Sequence, residues 1–290
     1  MKTFLYDSMF KVKSPFRYAG GKFYALKHLL PFIDNISHKE YREPFVGGGS
    51  VFFGKKPAQV NWINDIDSEL IHIYQTMTES DLLVRLISKL DKEIASRERH
   101  SEVKGMEPCN DFERAFKYFY LNRTSYSGIM KKPAWGYKVG KSSPPENWGN
   151  MLVKAAPKLR NVKISDFDYE EVIKADSEFD PEEVLLYLDP PYIVADQKRA
   201  YINSFTIEEH LRLQKLLRNT KYKFLLSYDD SNEVRELYDW AYFTKLNWNY
   251  NTSNLSGGKR KVGNELLISN FPLQNVDVIE SRLPGIEVIA

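Results

Sequence analysis

An α/β fold with a mostly parallel sheet, helices on both of its faces and an inserted helical module is what the sequence predicts, on three observations. Strand-like apolar runs alternate with helix-like segments in two separate blocks. Several of those runs are near-continuously apolar, as strands buried on both faces are. Between the blocks, residues 78–155 lose this rhythm and read as helices followed by an aromatic, basic loop.

The first block runs "YREPF", "VGGGS", "VFFGKK", "QVNWIND" and "SELIHIYQTM", which is strand, glycine turn, helix, strand and helix, the pattern of a βαβ unit. The second begins near residue 160 with the strands "NVKISDF" and "EVLLYLDP". It continues through the helix "IEEHLRLQKLLRN", the strand "KFLLSYD", the helix "NEVRELYD" and the strand "NELLISNF". The intervening stretch carries the helical patterns "DLLVRLISKLDKEIASRERH" and "DFERAFKYFYLNRTSYSGI". The division that follows is a core of residues 1–77 and 156–290 and an insert of residues 78–155. Residues 247–265 are polar and glycine-bearing, the composition of a mobile loop.

Composition excludes several classes. With 42% hydrophobic, 14% aromatic and 28% charged residues the chain is globular, and at +2 its net charge predicts no partner. No window approaches the ~18 apolar residues of a membrane span. One cysteine, Cys109, cannot form an internal disulfide, and the N-terminus shows no signal-peptide pattern, so a cytoplasmic protein is expected. The five histidines do not form a spaced ligand set, and no metal is expected.

The glycine turn "EPFVGGGSVFF" (43–53) lets a backbone approach a ligand closely, since no Cβ intrudes and positive φ is cheap. About twenty residues beyond Phe45, Asp65 ends the next strand, where a carboxylate can hold the hydroxyls of a ribose. The dinucleotide pattern GxGxxG is not matched, and "AGGK" (19–22) fails the phosphate-loop spacing, so a nucleoside without phosphates fits better. A plain strand-to-helix turn with a surface aspartate would use the same residues.

At "YLDPPY" (187–192) a buried strand ends in Asp189, Pro190, Pro191 and Tyr192. The carboxyl end of such a strand is where open α/β sheets hold ligand groups. Prolines fix φ and leave the preceding carbonyls free to accept. The Asp189 carboxylate and the Pro190 carbonyl can take the two hydrogens of an exocyclic amine, whose lone pair then becomes available for attack. Tyr192 offers a flat face for a base withdrawn from the duplex. A bare Asp–Pro–Pro turn is the structural alternative.

Basic residues Arg123, Lys131, Lys132, Lys138 and Lys141 interleave with Tyr126, Trp135 and Tyr137, a mixture suited to phosphates and to an aromatic wedge. Lys259, Arg260 and Lys261 form a second basic group. Solvated surface loops would show the same composition.

With these residues in place, the chain resembles the DNA adenine methyltransferases of the Dam-like D12 class, the alpha group of amino-methyltransferases. The resemblance runs in order through "SPFRYAGGK" (14–22), "EPFVGGGSVFF", "INDID" (63–67), "YLNRTSYSGI" (120–129), "DPPY" (189–192), "SYD" (227–229) and "NELLISNF" (264–271). It implies a Rossmann-like S-adenosylmethionine-dependent methyltransferase fold with an inserted, mostly helical target-recognition domain, acting on duplex DNA. It implies a cofactor site of Tyr18, Ala19, Gly20 and Lys22, the last near the methionine carboxylate. Glu43, Phe45, Gly47 and Gly49 would lie under the donor, Asp65 on the ribose, Asp166 and Phe167 at the cofactor adenine, and Asp189 at the border with the catalytic tetrad. Asn122 would open the recognition segment with Arg123. A restriction endonuclease acting separately, or a phage or host methylation system, is the implied setting, and a monomer is the default state.

Tyr18 stands where many relatives have Trp, and the segment after Gly128 runs its own course, so no target sequence carries over. A methyltransferase acting on RNA or a protein amide, and a DNA-binding module without activity, are the competing readings.

Overall fold

The computed structural model describes residues 12–18, 21–22, 25–193, 205–249 and 262–273. Among them, helix α1 (Leu26–Asn35) precedes strand β1 (Glu40–Glu43), α2 (Ser50–Gly54), β2 (Val60–Asn64) and α3 (Ser68–Thr76). Four helices follow: α4 (Ser80–Leu90), α5 (Arg97–Gly105), α6 (Asp111–Thr124) and α7 (Trp148–Ala155). The chain then forms β3 (Val162–Ser165), α8 (Tyr169–Lys174), β4 (Val184–Leu188), α9 (Ile207–Arg218) and β5 (Lys223–Asp229). It closes with α10 (Asn232–Leu237), β6 (Tyr242–Asn249) and β7 (Val262–Ser269).

The seven strands lie in the order β3-β2-β1-β4-β5-β7-β6. Strands β1 to β5 pair in parallel, and β7 runs antiparallel between β5 and β6. From β1 the chain winds outward to β2 and β3, then returns to β4 and winds the other way. The crevice at the carboxyl ends of β1 and β4 is therefore the point of reversal, where such sheets bind ligands.

Strand β4 (VLLYL) is buried throughout, and its alternate side chains feed two apolar clusters: Leu185 and Tyr187 join one, Val184, Leu186 and Leu188 the other. The sheet is thus covered on both faces. Its neighbour β1 is a polar tetrapeptide, EYRE, yet equally buried. Arg42 resolves this, bonding Glu40 at 2.7 Å and the carbonyls of Val172, Ala175 and Asp176 at 2.9, 2.7 and 3.0 Å. A buried guanidinium with these partners ties β1 to the end of α8.

Residues 78–155 form the expected helices, and their core is continuous with that of the sheet. Leu86, Leu90, Phe119, Trp148 and Leu152 belong to the same apolar cluster as Phe53, Ile63 and Tyr74. Helix starts follow side-chain caps: Asp67 accepts from two amides of α3, Asn110 from one of α6 and Thr206 from one of α9.

One expectation is corrected. The stretch 247–265 is not loop throughout, because β6 runs on to Asn249 and β7 begins at Val262. An edge strand is covered on one side only, so its sequence mixes exposed and buried positions and lacks the apolar run that marks a central strand; Tyr242 and Lys245 are exposed and Leu246 is buried. Lys259, Arg260 and Lys261 lie outside the described residues.

Candidate active site

Asp189 is the first residue beyond β4, and its carboxylate meets a lysine from far away in sequence. Lys22 Nζ lies 2.6 Å from Asp189 Oδ1 and 2.9 Å from Glu265 Oε1, and it also donates to the Tyr192 hydroxyl. The Tyr192 hydroxyl in turn donates to Glu265 Oε1 at 2.8 Å. Two carboxylates and a phenol thus converge on one ammonium, with Lys22 and Glu265 nearly sealed from solvent at 7% and 4% exposure and Asp189 more open at 20%. The Lys22 ammonium, expected beside a methionine carboxylate, is held here by the tetrad and by Glu265. Glu265 is not among the residues that the sequence points to. "NELLISNF" shows only an acid in an apolar strand, and its role emerges from the antiparallel register that sets it opposite Asp229.

Burial pushes the Asp189 carboxyl up to about 6, against the opposing pull of Lys22. Burial alone would lower the Lys22 pKa; Asp189 and Glu265 outweigh it and hold the ammonium above its ordinary value. At neutral pH Lys22 is charged and the Asp189 carboxylate is an acceptor. Behind it, the Tyr192 ring lies 5.7 Å from that of buried Tyr228, whose hydroxyl bonds the His210 imidazole. Burial pushes His210 down to about 4, so this backing is uncharged. Pro190 is buried and Pro191 half-buried.

On the other side of the crevice, the glycine turn after β1 is shaped by protein packing. Gly47 and Gly49 have φ of +47° and +69°. A Cβ on Gly47 would stand 2.9 Å from the Tyr18 ring, and one on Gly49 2.6 Å from the Tyr74 hydroxyl. The side of the turn that a Cβ would occupy is filled by tyrosines, so protein packing by itself requires glycine at both positions. Ala19 and Gly20 lie outside the described residues. Asp65 is buried and accepts from the Gly47 amide at 2.9 Å and the Asp67 amide at 3.1 Å, so it braces the turn, and burial raises it to about 6. Glu43 accepts from Tyr41 at 2.6 Å, and burial lifts it to about 8.

Asn64, unremarked in the sequence, joins three strand ends. Its amide donates to the carbonyls of Pro44 and Phe167 at 3.1 and 2.9 Å and accepts from Ser165 Oγ and the Phe167 amide at 2.7 and 2.9 Å. Beside it two apolar side chains face solvent, Ile66 at 54% and Phe167 at 41% exposure. Asp166 is exposed next to them, and Phe45 packs its ring 5.2 Å from Tyr169. The turn and strand-end residues 43–49, 64–67 and 165–168 include five acids and no lysine or arginine.

The family model of D12 class N6 adenine-specific DNA methyltransferases matches residues 18–253, most of the chain. The chain belongs to this family. Among curated proteins it is similar to the Type II methyltransferase M.MjaIII of Methanocaldococcus jannaschii, with 29% identity over 300 residues that cover 90% of this chain and all of that one. The Type II methyltransferase M1.LlaDCHI of Lactococcus lactis subsp. cremoris is 26% identical over 88% of this chain and 94% of its own. The DNA adenine methylase of Escherichia coli K12 is 27% identical over 89% and 95%. This is an adenine-specific DNA methyltransferase, and its sheet is that of a Rossmann-like methyltransferase fold. No helix among its described residues is long and apolar enough to cross a membrane.

Two of the methyltransferase's expected DNA contacts are interior. Asn122 is fully buried, and its amide both accepts from the Arg17 amide at 2.9 Å and donates to the Arg17 carbonyl at 2.7 Å. Arg123 is 8% exposed and donates to the Pro15 carbonyl at 3.3 Å, while Arg17 reaches back to the carbonyls of Arg123 and Ser125. These residues fasten segment 14–18 to the end of α6, and burial accounts for the correction. Burial beside Arg17 lowers Arg123 to about 10.

Beyond them the chain leaves the core as a loop closed by paired backbones. The Tyr126 amide donates to Ala134 and that of Gly136 to Thr124, at 2.8 and 2.9 Å. Trp135 is half-buried, 5.7 Å from the His100 ring and 5.9 Å from that of Tyr137. Tyr126 (55% exposed), Lys131, Lys132, Lys138 and Lys141 face solvent.

Proposed function

We propose that this DNA adenine methyltransferase takes its methyl group from S-adenosylmethionine and delivers it to an adenine flipped from duplex DNA into the pocket of Asp189, Pro190, Pro191 and Tyr192. The reading is carried by one observation: an ionised, half-buried Asp189 stands at the sheet's point of reversal beside an aromatic ring, next to strand ends that are acidic and apolar. When bound, the cofactor supplies a methyl on a sulfonium, an electrophile that needs orientation more than activation.

The chain's own groups do the rest. Asp65 would supply acceptors for ribose hydroxyls, Ile66, Phe167 and Asp166 would meet the cofactor's adenine, and the Asp65 carboxylate, beside Glu43, would favour a cation. Phe45 and the glycine turn held by Tyr18 form the floor. At the target, the Asp189 carboxylate and the Pro190 carbonyl accept from the exocyclic amino group, so its lone pair localises on nitrogen. With the cofactor bound, the nitrogen so held would receive the methyl from the sulfonium, and the proton that the amine sheds would pass toward the Asp189 carboxylate. Tyr192 stacks on the base. Lys22 keeps Asp189 ionised.

Residues 78–155 are the proposed target-recognition region, with Tyr126, Lys131, Lys132 and Lys138 toward the DNA and Trp135 supporting their loop. The test is single-molecule sequencing of DNA from methylation-deficient cells expressing the wild-type chain or Asp189→Ala. Wild type should modify adenine in one short motif. The variant should leave no trace of modification while still binding S-adenosylmethionine in a calorimetric titration; a fully active variant rejects the tetrad as the catalytic site.

A further inference from the structure

We propose that Glu265 is a positioning residue of methyl transfer, a buried carboxylate on β7 that holds the Tyr192 phenol and the Lys22 ammonium against Asp189. The inference rests on the tetrad reading above and adds to it a group from the antiparallel part of the sheet.

A carboxylate at this place needs a reason. Glu265 is 3% exposed and is followed by Leu266, Leu267 and Ile268, all fully buried. Removing an acid from water costs several kcal/mol unless its partners are well placed. Its partners are Tyr192 and Lys22, both accepted at Oε1, at 2.8 and 2.9 Å. Neither bond serves the sheet, whose pairing to β5 and β6 is made by backbone. Both bonds serve the tetrad.

The consequences are geometric and electrostatic. Tyr228 packs against the Tyr192 ring and limits its rotation. The hydroxyl tether to Glu265 pins the far end of the side chain, and so fixes the direction in which the ring projects beside Asp189. For the charge, Lys22 is shared by two carboxylates, so each is neutralised in part. Asp189 is faced by Lys22 from before α1, Glu265 from β7, Tyr187 of β4 and Tyr192 of its own loop, with Glu43 of β1 and Tyr228 of β5 within electrostatic reach. In this set the Glu265 carboxylate opposes ionisation of Asp189 and Lys22 favours it, while burial keeps Glu43 protonated up to about 8. A neutral residue at 265 therefore leaves Lys22 wholly to Asp189 and lowers the pH at which Asp189 ionises.

The experiment measures single-turnover methyl transfer from tritiated S-adenosylmethionine to unmethylated genomic DNA at a series of pH values, for wild type, Glu265→Gln, Glu265→Leu and Asp189→Ala. Gln keeps an acceptor oxygen for Tyr192 without the charge; its rate should fall less than about tenfold, and its acid limb should move to lower pH. Leu removes the tether, and misplacement of the ring should cost about 100-fold in rate with the KM for the donor changed little. Wild-type rate in the Leu variant alongside a dead Asp189→Ala overturns the role of Glu265 and leaves the tetrad standing. Equal losses in Gln and Leu, with an unmoved acid limb, also overturn it, since a merely structural residue behaves so. An active Asp189→Ala instead removes the reading beneath the inference.

Discussion

At the ends of β1, β2 and β3 the loops are fixed by a neutral clasp, the Asn64 amide holding Pro44, Ser165 and Phe167. Across the crevice, beyond β4 and within β7, the same task falls to charge, one ammonium held by two carboxylates and a phenol. Both halves are buried and both bring together residues distant in sequence. The difference matters for what each tolerates. A neutral clasp that loses one bond relaxes locally, whereas a buried ion cluster stripped of its ammonium is left with uncompensated like charges.

The largest effect is therefore expected at Lys22. In Lys22→Met, Asp189 and Glu265 confront each other without that ammonium, and folding stability should fall by about 3–5 kcal/mol in urea denaturation at neutral pH. The sign of the pH effect follows. Wild-type Asp189 is already raised to about 6 by burial, with Lys22 pulling it down, so loss of Lys22 raises it further and moves the acid limb of activity toward neutral pH. This is opposite to the shift expected for Glu265→Gln. A Met variant as stable as wild type, with the same acid limb, means that the cluster carries no net charge coupling.

A smaller loss is expected on the neutral side. Asn64→Ala removes both donors to carbonyls and the acceptor for Ser165 and Phe167, leaving buried groups unsatisfied at a cost of about 1–3 kcal/mol. Because Phe167 and the glycine turn lose their common anchor, the affinity for S-adenosylmethionine should drop about tenfold, equivalent to roughly 1.4 kcal/mol. Calorimetry measures both quantities. Unchanged donor affinity in a destabilised variant would separate the clasp from the cofactor side of the crevice.

The same contrast explains what the sequence discloses. The neutral half announces itself locally, because a glycine turn after a strand and an acid at the end of the next lie within 25 residues, and both are readable as a nucleoside cradle. Even there the reason for the glycines is not readable, since Tyr18 and Tyr74 reach them from other elements. The charged half is readable only at "DPPY". Lys22 and Glu265 are 167 residues before and 76 after Asp189 by their numbering, and only the closed sheet reveals that they meet. Asn122 and Arg123 mislead for a related reason: a polar pair beside a basic loop reads as surface, and the partner that buries it, segment 14–18, lies more than a hundred residues upstream. Strand β6 is hidden in the sequence because an edge strand has no apolar run to betray it.

The smallest effect is expected outside both halves, on the loop that leaves the core at Tyr126. Lys131 and Lys132 are exposed there, so their replacement disturbs neither the neutral clasp nor the ion cluster. If they meet phosphates, Lys131→Ala/Lys132→Ala should reduce the slope of log affinity against log salt by up to about 0.9 for each phosphate no longer neutralised. Fluorescence anisotropy on a labelled duplex between about 50 and 200 mM salt reads this slope directly. Cofactor affinity should be the same as in wild type, because the loop's tether, the paired backbones of Thr124–Gly136 and Tyr126–Ala134, is intact. The comparison then becomes three-way: charge loss at Lys22 shifts the pH profile, loss of the Asn64 clasp shifts donor affinity, and loss of the loop lysines shifts salt dependence alone. An unchanged salt slope in the double variant would take these lysines off the DNA and turn the search for the phosphate-binding groups to Lys138 and Lys141.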